Sequence, residues 1–174
     1  MRRIILIILT IFTLMSCNKD EENTIAEIDK LPPATQIGAN TFGCLLDGEA
    51  FTPGNLLNPL DSQYQFINGE YYFAVSGARR FSSNKLIGIG LGTIKLAINE
   101  GMTYQLFEQE DGKANGAFFL NNSTTYTTTE NTGELTITNM DNQIVSGIFW
   151  FDIIDNQGIK HEIREGRFDL LYSN

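Results

Sequence analysis

The chain predicts an all-β domain, either a single antiparallel β-sandwich or a flattened, partly open β-barrel, ending in a C-terminal meander. Three observations carry that expectation. From Thr41 onward the apolar residues recur with a period of two. Glu134-Leu135-Thr136-Ile137-Thr138 alternates cleanly, and Tyr71, Phe73 and Val75 alternate with Tyr72, Ala74 and Ser76. Turn-forming groups divide the runs: Asp47-Gly48, Asn68-Gly69, Asn99-Glu100-Gly101, Asp111-Gly112, Asp141-Asn142 and Asn156-Gln157-Gly158. No stretch offers an amphipathic helix, and the short loops favour antiparallel neighbours.

The N-terminus reads as an address rather than as part of the fold. Arg2 and Arg3 precede an apolar run from Ile4 to Leu14, followed by Ser16 and Cys17. A positive end and a short apolar core make residues 1–16 a secretory signal, too short for a comfortable membrane span. Leu14-Met15-Ser16-Cys17 resembles a bacterial lipobox, with Met15 a less usual occupant of its position. The resemblance implies cleavage before Cys17, a diacylglyceryl group on its sulfur and palmitate-type acylation there.

Removing residues 1–16 from a chain of 174 leaves 158, enough for one domain with a real core. Arg2 and Arg3 go with the signal, so the 12 basic residues fall to 10 against 21 acidic ones, a net charge of −11. That balance argues against nucleic acid, whose phosphates need a positive footprint. It argues equally against an electrostatic membrane face, so the membrane partner is reached through the lipid at Cys17. With Cys17 acylated, Cys44 has no partner in the chain. Between the apolar neighbours of TFGCLL it reads as a buried small hydrophobe.

Residues 17–40 are polar, carry Pro32-Pro33 and lack a sustained apolar period, the composition of a flexible acidic linker. Extended at about 3.3 Å per residue, such a linker holds the domain tens of ångströms from the bilayer. Its start, Lys19-Asp20-Glu21-Glu22, resembles the export signal behind the lipidated cysteine of Bacteroidota surface lipoproteins. The resemblance implies an outer-membrane anchor facing the cell exterior. Without it the anchor faces the periplasm.

The domain then occupies residues 41–174. Strand-like runs recur near 41–46, 49–52, 63–68, 70–77, 86–97, 103–108, 115–121, 124–129, 133–139, 143–154 and 158–172. Two of them are irregular. In LIGIGLGT, Ile87, Ile89 and Leu91 share one face, and Gly88, Gly90 and Gly92 share the other. Something large packs close to such a stripe: an aromatic ring from a neighbouring strand, or a ligand in a groove. In GIKHEIREGRFDLLY, Ile159 and Ile163 are odd-numbered, whereas Phe168, Leu170 and Tyr172 are even. A change of parity is the mark of a β-bulge, expected at Glu165-Gly166.

TGELTITNMDNQIVSGIFWFDIIDNQGIKHEIREGRFDLLY resembles the closing meander of small uncharacterised lipoproteins from Flavobacteria and their relatives, and ANTFGCLLDGEAFTP resembles the start of the same domain. The two motifs cover about a third of the chain. The resemblance implies the all-β fold and carries over no catalytic residue.

Residues able to do chemistry are sparse. His161 is the sole histidine, so no multi-histidine metal site exists and any nucleophile would depend on one base. On a strand between Lys160 and Glu162 it reads as structural. GxSxG, P-loop, HExxH and CxxC patterns are absent. Glu108, Glu110 and Asp111 fall at a hairpin tip, where acids are solvated. Asp152, Asp155 and Asn156, and likewise Asp141 and Asn142, supply oxygens near turns, which turn chemistry explains without a metal. No catalytic residue, metal or cofactor is expected.

Aromatic residues offer the one specific opening for a ligand. In QIVSGIFWFDII the odd residues Val145, Phe149, Phe151 and Ile153 form one apolar face, while Ile148 and Trp150 lie opposite with Ser146 and Asp152. Trp150, joined by Tyr64, Tyr71 and Tyr72, is a candidate sugar platform. The alternative is a strand covered on both faces, with Trp150 filling the gap over the glycine stripe. The expected function is a non-enzymatic, surface-exposed envelope lipoprotein that binds or displays a glycan or a protein. The alternatives are a structural accessory subunit of an outer-membrane complex and a hydrolase using dispersed carboxylates.

Overall fold

The computed structural model describes residues 25–141 and 143–173. The signal, Cys17, Lys19, Asp20, Glu21, Glu22 and Asn142 lie outside the described residues.

The described residues form eleven strands: β1 (Thr41–Leu46), β2 (Glu49–Phe51), β3 (Leu60–Ile67), β4 (Glu70–Arg80), β5 (Leu86–Ile94), β6 (Thr103–Leu106), β7 (Ala114–Leu120), β8 (Ser123–Tyr126), β9 (Gly133–Met140), β10 (Ile144–Ile154) and β11 (Lys160–Leu171). Each matches one expected run. The tight hairpins β1–β2 and β3–β4 turn on Asp47-Gly48 and Asn68-Gly69. All four of these residues have positive φ, the backbone that suits a two-residue turn to the twist of its strands.

The strands join in one sheet in the order β2-β1-β11-β10-β9-β6-β7-β5-β4-β3, with β8 on the side of β7. Pairing between these strands is antiparallel except where Leu106 of β6 meets Ala114 of β7. The sheet folds over on itself like a sandwich and is not closed into a barrel. Its two halves meet through aromatic rings. Phe168 of β11 faces Phe73 of β4 at 6.4 Å, and Phe42 of β1 lies against Gly77 of β4. The Phe151 ring of β10 covers Gly116 of β7. One corner is tied by hydrogen bonds from Tyr64 N–H to the Ser173 carbonyl (3.0 Å) and from Ser173 N–H to the Ser62 carbonyl (3.2 Å).

β9, β10 and β11 form the expected meander, and the odd face of β10 is the core face: Val145, Phe149, Phe151 and Ile153 are all buried. The bulge falls where parity changes. Phe149 pairs with Gly166 and Phe151 with Ile163, so Trp150 stands opposite both Arg164 and Glu165. Glu165 takes φ 53°, and the shift lets Ile163, Phe168 and Leu170 all reach the core.

The segment read as a free linker differs from expectation over residues 25–40. Glu27–Lys30 forms a 3-10 turn whose Glu27 carboxylate accepts the Ala50 N–H at 2.9 Å. Leu31 is buried and the Pro32 ring presses on Gly43. Asp169 then gathers the rest. Its carboxylate accepts the Thr35 hydroxyl (2.6 Å) and the backbone N–H groups of Ile37 (3.0 Å), Gly38 (2.8 Å) and Ala39 (3.1 Å). The Ser146 hydroxyl approaches from inside at 2.8 Å. Proline and polar residues suggested solvation here, but one buried acid recruits their backbone donors instead.

Candidate functional site

The folded sheet leaves a groove of about 320 Å³ on the outer face of β3, β4, β5 and β7. Register explains its shape. One row across the sheet reads Gln63, Ala74, Gly92, Asn115, and the next reads Asp61, Ser76, Gly90, Ala117, ending at Tyr126 of β8. Small residues at the centre of each row sink the floor, and long polar side chains stand at the ends. Tyr72 pairs with Gln65 one row further on, and Phe119 rises from β7.

The glycine stripe divides between two tasks. The Phe119 ring lies over Gly88 and Gly90, 3.1 Å from where a Cβ on either would stand. The expected aromatic cover is therefore Phe119, and Trp150 does not fill that gap. At Gly92 the covering group is polar: the Asn115 amide, with Oδ1 3.7 Å and Nδ2 3.9 Å from the Cβ position.

Asn115 is the unusual member. It is only 4% exposed, yet its side chain makes no hydrogen bond to any described residue. The residue is enclosed, but its amide atoms keep access to the groove, so in the free protein they are left to water and in a complex to a ligand. Three enclosed polar atoms also lack partners, Ser62 Oγ, Arg79 Nε and Asn139 Nδ2. The Asn115 amide differs in opening onto the groove, where its two donors and its acceptor oxygen face an incoming group. Among the described lining residues Asp61 is the one charged side chain.

The four aromatic residues expected to form a platform do not share a surface. Tyr64 and Tyr71 stack at 5.1 Å on the other face of the β3–β4 hairpin, with Phe66 4.7 Å from Tyr71 and Tyr172 edge-on to Tyr64 at 6.1 Å. Tyr72, next to Tyr71, points the opposite way and walls the groove. Trp150 sits apart over the meander, 38% exposed. The Arg164 guanidinium lies 5.5 Å from its ring centroid, and its indole N–H donates to Glu134 at 3.3 Å. Residue type alone grouped these rings; opposite parity and distant strands separate them.

Other singled-out residues hold the fold. His161 is wedged between Asp47 (2.7 Å from Nδ1) and Asp155 (3.4 Å from Nε2), and stacks on Phe118 at 4.5 Å. Asp155 also accepts the Gln157 and Ile159 N–H groups, and these bonds hold its carboxyl below the ordinary aspartate range, the Ile159 bond foremost. Asp141 closes its turn by accepting from Gln143 and Ile144. Asp152 is bridged by Arg164 and Lys160, and Asn156 donates to Ser123. Glu108 accepts the Thr129 N–H and hydroxyl and pairs with Lys113. Glu110 pairs with the same lysine, and Asp111 with Lys95. Among the described residues no three His, Cys, Asp or Glu side chains converge as metal ligands.

Cys44 is fully buried, and burial pushes its thiol up to about 12. Since the thiolate is the reacting form, a disulfide-exchange reagent such as DTNB should leave Cys44 unlabelled in the native chain and label it after guanidinium unfolding. Rapid labelling of the native protein would contradict this burial.

Of the groove residues, sequence analysis found Tyr72 and the glycines. Gln63, Gln65 and Asn115 look like ordinary outward positions in an alternating strand. The available signal was Gln-x-Gln in β3 together with an asparagine that pairs with a glycine of the stripe. No family model matches this chain, and no curated protein or solved structure matches it either.

Proposed function

We propose that this chain is a non-enzymatic cell-envelope lipoprotein, held at the outer membrane by lipid on Cys17 and facing the cell exterior, whose β-domain binds a ligand on its outer sheet face. The observation that carries the binding reading is Asn115, an amide 4% exposed, without a protein partner and open to the groove. Its volume, about 320 Å³, is at the small end of the ~300–1,000 Å³ range of ligand sites. Asp61 is its one carboxylate among the described lining residues, whereas acid–base hydrolysis of a glycoside takes two. That supports binding over the hydrolase alternative. The accessory-subunit alternative draws on Phe66, Ile67 and Tyr71, exposed at the tip of the β3–β4 hairpin.

Location is tested by protease treatment of intact cells. The wild type should be shaved, and a variant with Lys19, Asp20, Glu21 and Glu22 replaced by uncharged residues should be protected. Protection of both would put the domain in the periplasm and remove the surface reading. A Cys17→Ala chain should lose acylation and membrane retention; one still processed and membrane-bound would sink the anchor.

A further inference from the structure

We infer that the groove is a subsite for a neutral glycan, a short run of uncharged sugar rings lying across β3, β4, β5 and β7. The Asn115 amide is its central hydrogen-bonding group and Tyr72 its stacking ring. This rests on the binding reading above and adds the ligand's chemistry.

The floor selects for flatness and length. Its small residues, Ala74, Ser76, Gly90 and Gly92, occupy adjacent positions on two neighbouring strands, β4 and β5. Four strands at about 4.8 Å spacing make a trough roughly 14 Å across, longer than one sugar ring. The groove crosses the strands over a sheet face, where side chains and not a row of backbone donors meet a ligand; of these strands only β3, at the border, is an edge strand.

The walls select for hydroxyls. Gln63, Gln65 and Asn115 are primary amides, each with an acceptor oxygen and two donors, and Asp61 adds two acceptor oxygens. Vicinal hydroxyls, each both donor and acceptor, match such groups in pairs. No lysine or arginine is among the described lining residues, so a phosphate, sulfate or uronate would meet Asp61 without a counter-charge. Tyr72 and Tyr126 line the groove, and a tyrosine ring can pack against the C–H face of a pyranose while its hydroxyl takes a hydrogen bond. An apolar ligand would bury four amides (Gln63, Gln65, Gln109 and Asn115) and a carboxylate unpaired, which is unfavourable.

The test uses the lipidated chain in a detergent that carries no sugar. Binding is read on an array of neutral trisaccharides, acidic oligosaccharides and short peptides, and the Asn115 side-chain amide is followed by NMR. A neutral trisaccharide should bind and shift that amide. Asn115→Ala, and separately Ser76→Trp to fill the trough from the solvent side, should each weaken binding tenfold or more. Phe66→Ala, on the other face, should leave it unchanged. Asn115→Ala should also melt no lower than the wild type, because it removes an unpartnered amide.

Binding of neutral sugars that ignores both groove variants would overturn the assignment. If only acidic sugars or peptides bind, and both groove variants abolish it, the ligand class is wrong while the binding reading stands. If no probe moves the Asn115 amide, both readings fall.

Discussion

Replacing Asp169 with asparagine is expected to destabilise the domain by about 3 kcal/mol, read as a lower urea midpoint at unchanged slope. The carboxylate is 1% exposed and accepts from five donors, four on the N-terminal segment and one on Ser146. Asparagine keeps the shape but offers one acceptor oxygen and turns an amide group against backbone N–H groups. The five bonds do not add. Donors on residues 35–39 regain water once the segment lifts, so the loss is nearer that of one or two charge-assisted bonds, about 1.5–3 kcal/mol each. Residues 35–39 should become the first site of proteolytic cleavage in the variant.

The same site sets an acid sensitivity whose sign follows from the two states. Burial pushes the Asp169 carboxyl up, but the bonds from Thr35, Ala39, Ile37 and Ser146 outweigh it and hold the group well below the usual carboxylate range. A group depressed in the folded state stabilises fully above its unfolded value, about 3.9, and loses that contribution as pH falls through the folded value. The gap between wild type and Asp169→Asn should be flat from pH 5 to 7 and narrow below about pH 4. A gap that stays constant down to pH 2 would show that the charge is not the source.

Asp169 also marks where the sequence stops being legible. Strand positions could be read because their signals are local: alternation over a few residues, and turns such as Asp47-Gly48 that act within their own hairpin. The bulge at Glu165-Gly166 was readable for the same reason, as a change of parity inside one strand. Asp169, between Phe168 and Leu170, looks like any outward polar residue of an alternating strand. Nothing nearby announces that it collects a segment some 130 residues away. Strand order is non-local in the same sense. β6 inserts between β9 and β7, although β7 follows it and β9 does not. The candidate site inherits this limit. Gln63, Ala74, Gly92 and Asn115 form one row only after three strand pairings are set.

Gly133→Ala should be the most damaging single-methyl change in the domain, costing more than about 3 kcal/mol, beyond ordinary overpacking. Gly133 opens β9, pairs with Phe151 on one side and Leu106 on the other, and is buried. A Cβ there runs into the Trp150 carbonyl oxygen and the Phe151 Cα and Cβ. These are main-chain atoms and the first atom of a side chain, so no rotamer change clears them and the strands must part. Gly116→Ala is the control. The three atoms nearest its Cβ would all belong to the Phe151 ring, the first at 3.0 Å, and a ring can tilt by tenths of an ångström. The control should therefore lose about 1–2 kcal/mol. The consequence of Gly133→Ala should spread along β6, four residues long and, among the described residues, the one strand linking the meander to the half of the sheet that carries the groove. Amide exchange at Thr103–Leu106 should accelerate in Gly133→Ala and not in Gly116→Ala. Equal losses for the two variants would mean that the sheet relaxes around β9, and that main-chain contact there is not what sets the cost.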